Sequence, residues 1–167
     1  DANPIVVEAL RQRLFKELPS IEITTHCFAA VSEEKELELN ITSNIKSSSL
    51  LELSKHKTDY PSITHVGKLK VQGKRIDDVL STEEMKDINC MVLDVQCGEY
   101  DALIGCGDLL DQIDVIISEV TFYELYKGCC LIEHLDTMLL SKGFRRLDTL
   151  SNGRGWGDAL YIRKDIF

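Results

Sequence analysis

No apolar run in this sequence approaches the roughly 18 residues that a membrane-spanning helix requires. The opening residues, Asp1-Ala2-Asn3-Pro4, have neither the basic start nor the apolar centre of a secretory signal. Positive charge is scarce: 19 Lys and Arg stand against 28 Asp and Glu, for a net charge of −9. A protein that grips nucleic acid presents a basic stripe to the phosphates, so bulk nucleic acid and anionic membrane surfaces are not expected partners. The six cysteines never fall at C-x-x-C spacing and the four histidines are scattered, which gives a structural zinc site little support. Most of the cysteines lie in apolar stretches, where a free thiol behaves as a small hydrophobe, so a reducing, cytoplasmic setting is expected. No G-x-G-x-x-G fingerprint, internal repeat or linker occurs.

What is present is one domain's worth of chain. At 167 residues and 44% hydrophobic, residues 1–167 read as a single domain able to bury a core without staples. Asn3 is a good N-cap and Pro4 suits a first helical position, with Ile5, Val6, Ala9, Leu10 and Leu14 on one face up to Pro19. Ile21 to Val31 reads as a strand, and Leu37, Leu39 and Ile41 alternate with polar residues as a second. From Thr42 to Thr64 periodicity fades, which predicts a long mobile loop of functional type. A strand begins at Leu69, and the apolar runs Met91–Val95 and Ile113–Ser118 predict two buried parallel strands. Tyr100 to Leu110 is helical with a break near Gly105 and Gly107. A later helix carries Leu131, Leu135, Met138 and Leu139 and closes at Gly143, before two final strands, Phe144–Leu150 and Asp158–Arg163. Strands alternating with helices predict an α/β fold.

In open α/β sheets, ligands sit at the carboxyl ends of the strands. Asp94 and Glu119 read as ending these two successive buried strands, so a crossover connection would set both carboxylates on one rim. One of them could take a proton from a hydroxyl, and the pair could hold a cation, though no third ligand is evident. The plain alternative is that each acid caps the helix after it. The four histidines lack partners at metal spacing, the acidic run Ser32–Glu36 reads as a solvated turn, and Tyr123 and Tyr126 read as packing residues.

An ordered set of segments then resembles the FkbM-type methyltransferases over nearly the whole chain. Leu93-Asp94-Val95-Gln96-Cys97-Gly98-Glu99-Tyr100 through Gly105 is similar to that family's acid-containing strand end and the helix after it. Ile113 to Tyr126 resembles its strand ending in an acid and a later tyrosine, Leu139 to Phe144 its "L…GF", and Gly157-Asp158-Ala159-Leu160 its terminal strand. Asp1–Pro4, Ala30–Ser32, Ser48–Leu50 and Ile76–Leu80 match shorter family stretches in the same order. The resemblance implies a Rossmann-like class I methyltransferase sheet, mostly parallel with an antiparallel terminal strand. It implies S-adenosylmethionine as cofactor and a hydroxyl of a sugar, glycan or other small molecule as acceptor. It assigns Asp1 to the cofactor ribose, Cys27 and Phe28 to the neighbourhood of the adenine, and Asp94 and Gln96 to the methyl group and substrate. Glu99 and Glu119 would stand on the same rim, and the Ser47–Ser49 loop would help cover the site. Asp94 is then the first candidate for general base, Glu119 the second, and Glu99 the third because it could face outward on its helix.

Two departures from the family carry expectations of their own. Cys97 stands where the family usually has glycine, and the glycine that follows, Gly98, is expected to absorb the resulting strain. The family's first strand, its Gly-rich loop and most of its second strand have no counterpart, so an upstream segment or another chain is expected to complete the sheet. The competing function is a methyltransferase-like module that binds without catalysing, of the kind appended to a glycan-modifying enzyme; a dinucleotide-dependent oxidoreductase ranks third.

Overall fold

The computed structural model describes residues 1–166. The chain opens with helix α1 (Pro4–Glu17), which starts where Asn3 accepts a hydrogen bond from the Ile5 N–H and Pro4 takes a position that needs no donor. The helix anchors itself through Val7, with Val6, Leu10 and Leu14 half-buried; Ile5 and Ala9, expected on that face, are exposed. The stretch after it is extended, yet only β1 (Ala29–Ala30) pairs with a neighbour, so the strand expected over Ile21–Val31 is reduced to its last few residues. A strand needs a partner for its backbone, and residues 21–24 lie exposed without one.

Strands β2 (Lys35–Thr42) and β3 (His65–Lys74) run antiparallel, and β1 lies parallel to β3 on its other side. Two short helices follow, α3 (Ile76–Val79) and α4 (Thr82–Met85), the second closed by a Ser81–Glu84 capping box. Strand β4 (Cys90–Leu93) leads into α5 (Glu99–Ile104) and a 3₁₀ segment at Gly107–Gln112, separated where the two glycines predict a break. Strand β5 (Val115–Thr121) pairs parallel with β4. Helix α6 (Ile132–Ser141) and the antiparallel pair β6 (Phe144–Ser151) and β7 (Trp156–Arg163) complete a second sheet in the order β4-β5-β7-β6.

The fold is α/β, but the strands form two sheets, and its five pairings are two parallel and three antiparallel. A single, mostly parallel sheet is not what these residues form, because no described strand pairs with the outer edge of β1 or of β4. The two sheets meet instead through packed loops: Gly105 sits so close to Val31 that an added Cβ would lie 2.2 Å from its carbonyl oxygen.

The main core lies between one face of the second sheet and α5 and α6, joining Leu93, Ile116, Ala159 and Tyr161 to Ala102, Leu103, Leu135, Leu139 and Phe144. Residues on the opposite face, such as Val92 and Ile117, remain exposed. Residues 42–64 do not form the expected mobile loop. They contain a 3₁₀ turn at Ile45–Ser47 and a short helix, α2 (His56–Asp59), and they bury Ser47, Ser49, Leu53 and His56. Their order comes from distant polar contacts. Trp156 Nε1 donates to the Tyr60 hydroxyl at 3.0 Å, Tyr123 donates to Asp59, and the Ser54 and His56 N–H groups both bind the Leu125 carbonyl.

Candidate active site

The parallel register of β4 and β5 sets Leu93 opposite Ser118, so the next residues, Asp94 and Glu119, come side by side. Their carboxylates are joined by one side chain. Gln96 Nε2 donates to Asp94 Oδ1 at 2.7 Å and to Glu119 Oε2 at 3.1 Å, using both of its hydrogens. The amide Oε1 meets the Tyr126 hydroxyl at 3.0 Å, and the Gln96 carbonyl accepts a hydrogen bond from Ser49 Oγ at 2.7 Å.

The turn that carries Gln96 is left-handed, with φ +52° at Gln96 and +72° at Cys97. Gly98 does not absorb the strain as expected; its φ is −97°, so Cys97 itself takes the conformation that glycine favours. What holds the turn is Glu99. It faces inward rather than outward, is 7% exposed, and accepts the Val95 N–H at 2.9 Å. Its fixed place is therefore explained by the backbone it binds.

Burial dominates the electrostatics. It pushes the Glu119 carboxyl up to about 8, with the charges of Asp94 and Glu99 adding and the Gln96 hydrogen bond opposing. Burial likewise raises Glu99 to about 7, against the backbone donors that favour its charged form. Asp94, in contrast, is exposed at the wall of the cavity.

That cavity has a volume of about 620 Å³, within the range of small-molecule sites. It is bordered by the start of the chain, by β1 and by the turn after β4. Asp1, Phe28, Asp94 and Gln96 all line it, so four of the residues singled out in the sequence share one space. One oxygen of Asp1 is anchored by the Asn3 N–H at 2.7 Å. His26 lines the same space with its Nε2 buried and without a partner among the described residues; the sequence offers no reason to select it. Of the 47–49 segment, Ser48 and Ser49 line the cavity, together with the following Leu50, while Ser47 does not. Cys27 is not brought in: it is exposed, with its thiol turned to the Ala2 carbonyl. Glu99 and Glu119 stand off the cavity, Glu119 one hydrogen bond behind Gln96, and both border a narrow crevice beside α6.

The sequence profile of the methyltransferase FkbM domain matches residues 2–146. The chain belongs to the FkbM methyltransferase family. A protein named 2-O-methyltransferase NoeI, from Sinorhizobium fredii (strain NBRC 101917 / NGR234), is 29% identical over 82 residues, which are 49% of this chain and 34% of that protein. This chain thus matches about a third of the length of that relative. No solved structure shows a significant match. For an FkbM domain, the strand-end acid, the turn after it and the buried glutamate of α5 form one hydrogen-bonded unit, and the cavity opens beside it.

Proposed function

We propose that this chain forms part of an S-adenosylmethionine-dependent O-methyltransferase that acts on a hydroxyl of a sugar or other small molecule. The observation that carries the reading is Asp94. It lies on the wall of the cavity that Asp1 and Phe28 also line, and it is tied through Gln96 to a second carboxylate. The family supports methyl transfer, and the name of the Sinorhizobium relative supports oxygen as the acceptor atom.

The residues fit the cofactor by chemistry. Asp1 presents a carboxylate that can accept hydrogen bonds from vicinal hydroxyls, Phe28 offers an apolar face to a base, and His26 Nε2 is an unpaired polar atom awaiting a partner. Bound there, S-adenosylmethionine supplies a methyl group activated by the positive sulfur. Asp94 then has one task that a neutral hydroxyl cannot do for itself, which is to take its proton as the oxygen bonds to carbon. Gln96 keeps that carboxylate aimed, and the Ser48–Leu50 wall narrows the water-accessible side. The unpaired edges of β1 and β4 both border this region, and strands from an upstream segment of the polypeptide, or from another chain, would pair with them and complete a Rossmann-like sheet.

The test is calorimetric titration of S-adenosylhomocysteine into the longest native polypeptide that contains this chain. Micromolar binding that is lost in Asp1→Ala supports the reading. Absence of binding by the folded, full-length protein overturns it in favour of a non-catalytic binding module.

A further inference from the structure

Tyr126 reads as a packing residue in the sequence, and its ring does pack, 1% exposed in a small core with Leu53, Cys97, Leu125 and Cys129 and with its centroid 5.2 Å from that of His56. Its hydroxyl does something else. It stands 3.0 Å from Gln96 Oε1 and 3.1 Å from the Ser47 carbonyl, a single proton aimed between two acceptors. We infer that Tyr126 is a positioning residue for the acidic pair, setting through Gln96 the geometry of Asp94 and Glu119.

A glutamine amide has two ends of nearly the same shape but opposite hydrogen-bonding sense. The two carboxylates accept, so they require the NH₂ end; the Tyr126 phenol donates, so it holds the oxygen end. With donors and acceptors matched at both ends, the amide has one orientation. Its three side-chain torsions would otherwise leave it free to swing off the carboxylates. The main chain beneath it is already held by Ser49 and by Glu99, so the phenol restrains the remaining freedom at the oxygen end. Four separate elements thus converge on one residue, three of them on its side chain: the turn after β4, β5 and the loop after β5, with the segment after β2 on its carbonyl.

Glu119 reports the state of this arrangement. Facing it are Asp94 and Glu99 from the β4–α5 turn, Asp158 across the β5–β7 pair, and the un-ionised Tyr126 and Cys97; none of these is a cation. Gln96 is the neutral donor that favours its charged form. Loosening Gln96 therefore makes Glu119 harder to ionise.

The inference takes its catalytic meaning from the proposed methyl transfer, but its test does not depend on activity. In uniformly ¹³C-labelled full chain, the Glu119 carboxyl is titrated by NMR in the wild type and in Tyr126→Phe, which keeps the ring and removes only the hydroxyl. The expected result is a rise of the Glu119 midpoint by about half a pH unit or more. In Gln96→Ala the midpoint rises too, and adding Tyr126→Phe to that variant moves it no further, because the phenol acts through the amide. An unmoved midpoint in Tyr126→Phe, or an additive double variant, overturns the inference. Where methyl transfer is measurable, Tyr126→Phe lowers kcat about 10-fold with KM for S-adenosylmethionine unchanged. A wild-type protein that transfers no methyl group defeats the functional reading alone and leaves the titration to decide the role of Tyr126.

Discussion

Replacing Glu119 by glutamine should stabilise this protein, and only on the alkaline side. Burial between Asp94 and Glu99 raises the Glu119 carboxyl from 4.5 to about 8. Between those values the folded chain binds a proton that the unfolded chain has released, so stability falls as pH rises through this window and is level outside it. At about 1.4 kcal/mol per pH unit, the full loss between about pH 5.5 and 8.5 would be about 3.5 kcal/mol. Glu119 is only half-buried and titrates beside Glu99, which burial also raises, and this brings the expected loss to about 2 kcal/mol. Glutamine reproduces the protonated acid: its oxygen accepts from Gln96 and its NH₂ faces Asp94. Urea denaturation of both proteins at about pH 5.5 and 8.5 measures the difference. An advantage for Glu119→Gln that grows by about 2 kcal/mol from the lower pH to the higher is the expected result. If the two proteins track in parallel across the range, Glu119 does not hold an extra proton in the fold and the reasoning fails.

Three further outcomes are expected. Asp94→Asn lowers methyl-transfer turnover by about 100-fold or more while S-adenosylhomocysteine still binds; near-normal turnover removes Asp94 from the role of base. Cys97→Gly is more stable than Cys97→Ala by about 1 kcal/mol in urea, since both lose the buried thiol but only the glycine relieves a φ of +72°. The opposite ranking would mean the left-handed turn carries no strain. Gly105→Ala costs about 2 kcal/mol or more, read as a fall in the urea midpoint, because its Cβ would meet the buried Val31 backbone where the two sheets pack together.

The adjacency of Asp94 and Glu119 was legible because each follows an apolar run of strand length, and parallel pairing brings equivalent ends together. Asp1 and Phe28 beside them followed from the family resemblance, which orders segments whose spacing alone says nothing. The roles of Ser49 and Tyr126 were not legible, since their hydrogen bonds to Gln96 cross 47 and 30 residues and leave no local pattern. The same holds for residues 42–64, whose order depends on Trp156, Tyr123 and the Leu125 carbonyl. Composition read this segment as loose because its stabilising partners lie far along the chain. The strand expected over Ile21–Val31 failed for the complementary reason: β-propensity is expressed only where a neighbour offers its backbone.

The glutamate at the start of α5 has a consequence for what can enter the site. Backbone N–H groups that converge in a left-handed turn make a nest for anions, and in many proteins a phosphate rests in one. Here the turn is filled from within, because Glu99 returns its own carboxylate to the Val95 N–H. A phosphate would find that N–H already taken, and the exposed Asp94 beside it sets a negative charge against an anionic ligand, with Lys46 on the same cavity wall as the cation that could offset it. A neutral polyol carries no charge for Asp94 to oppose.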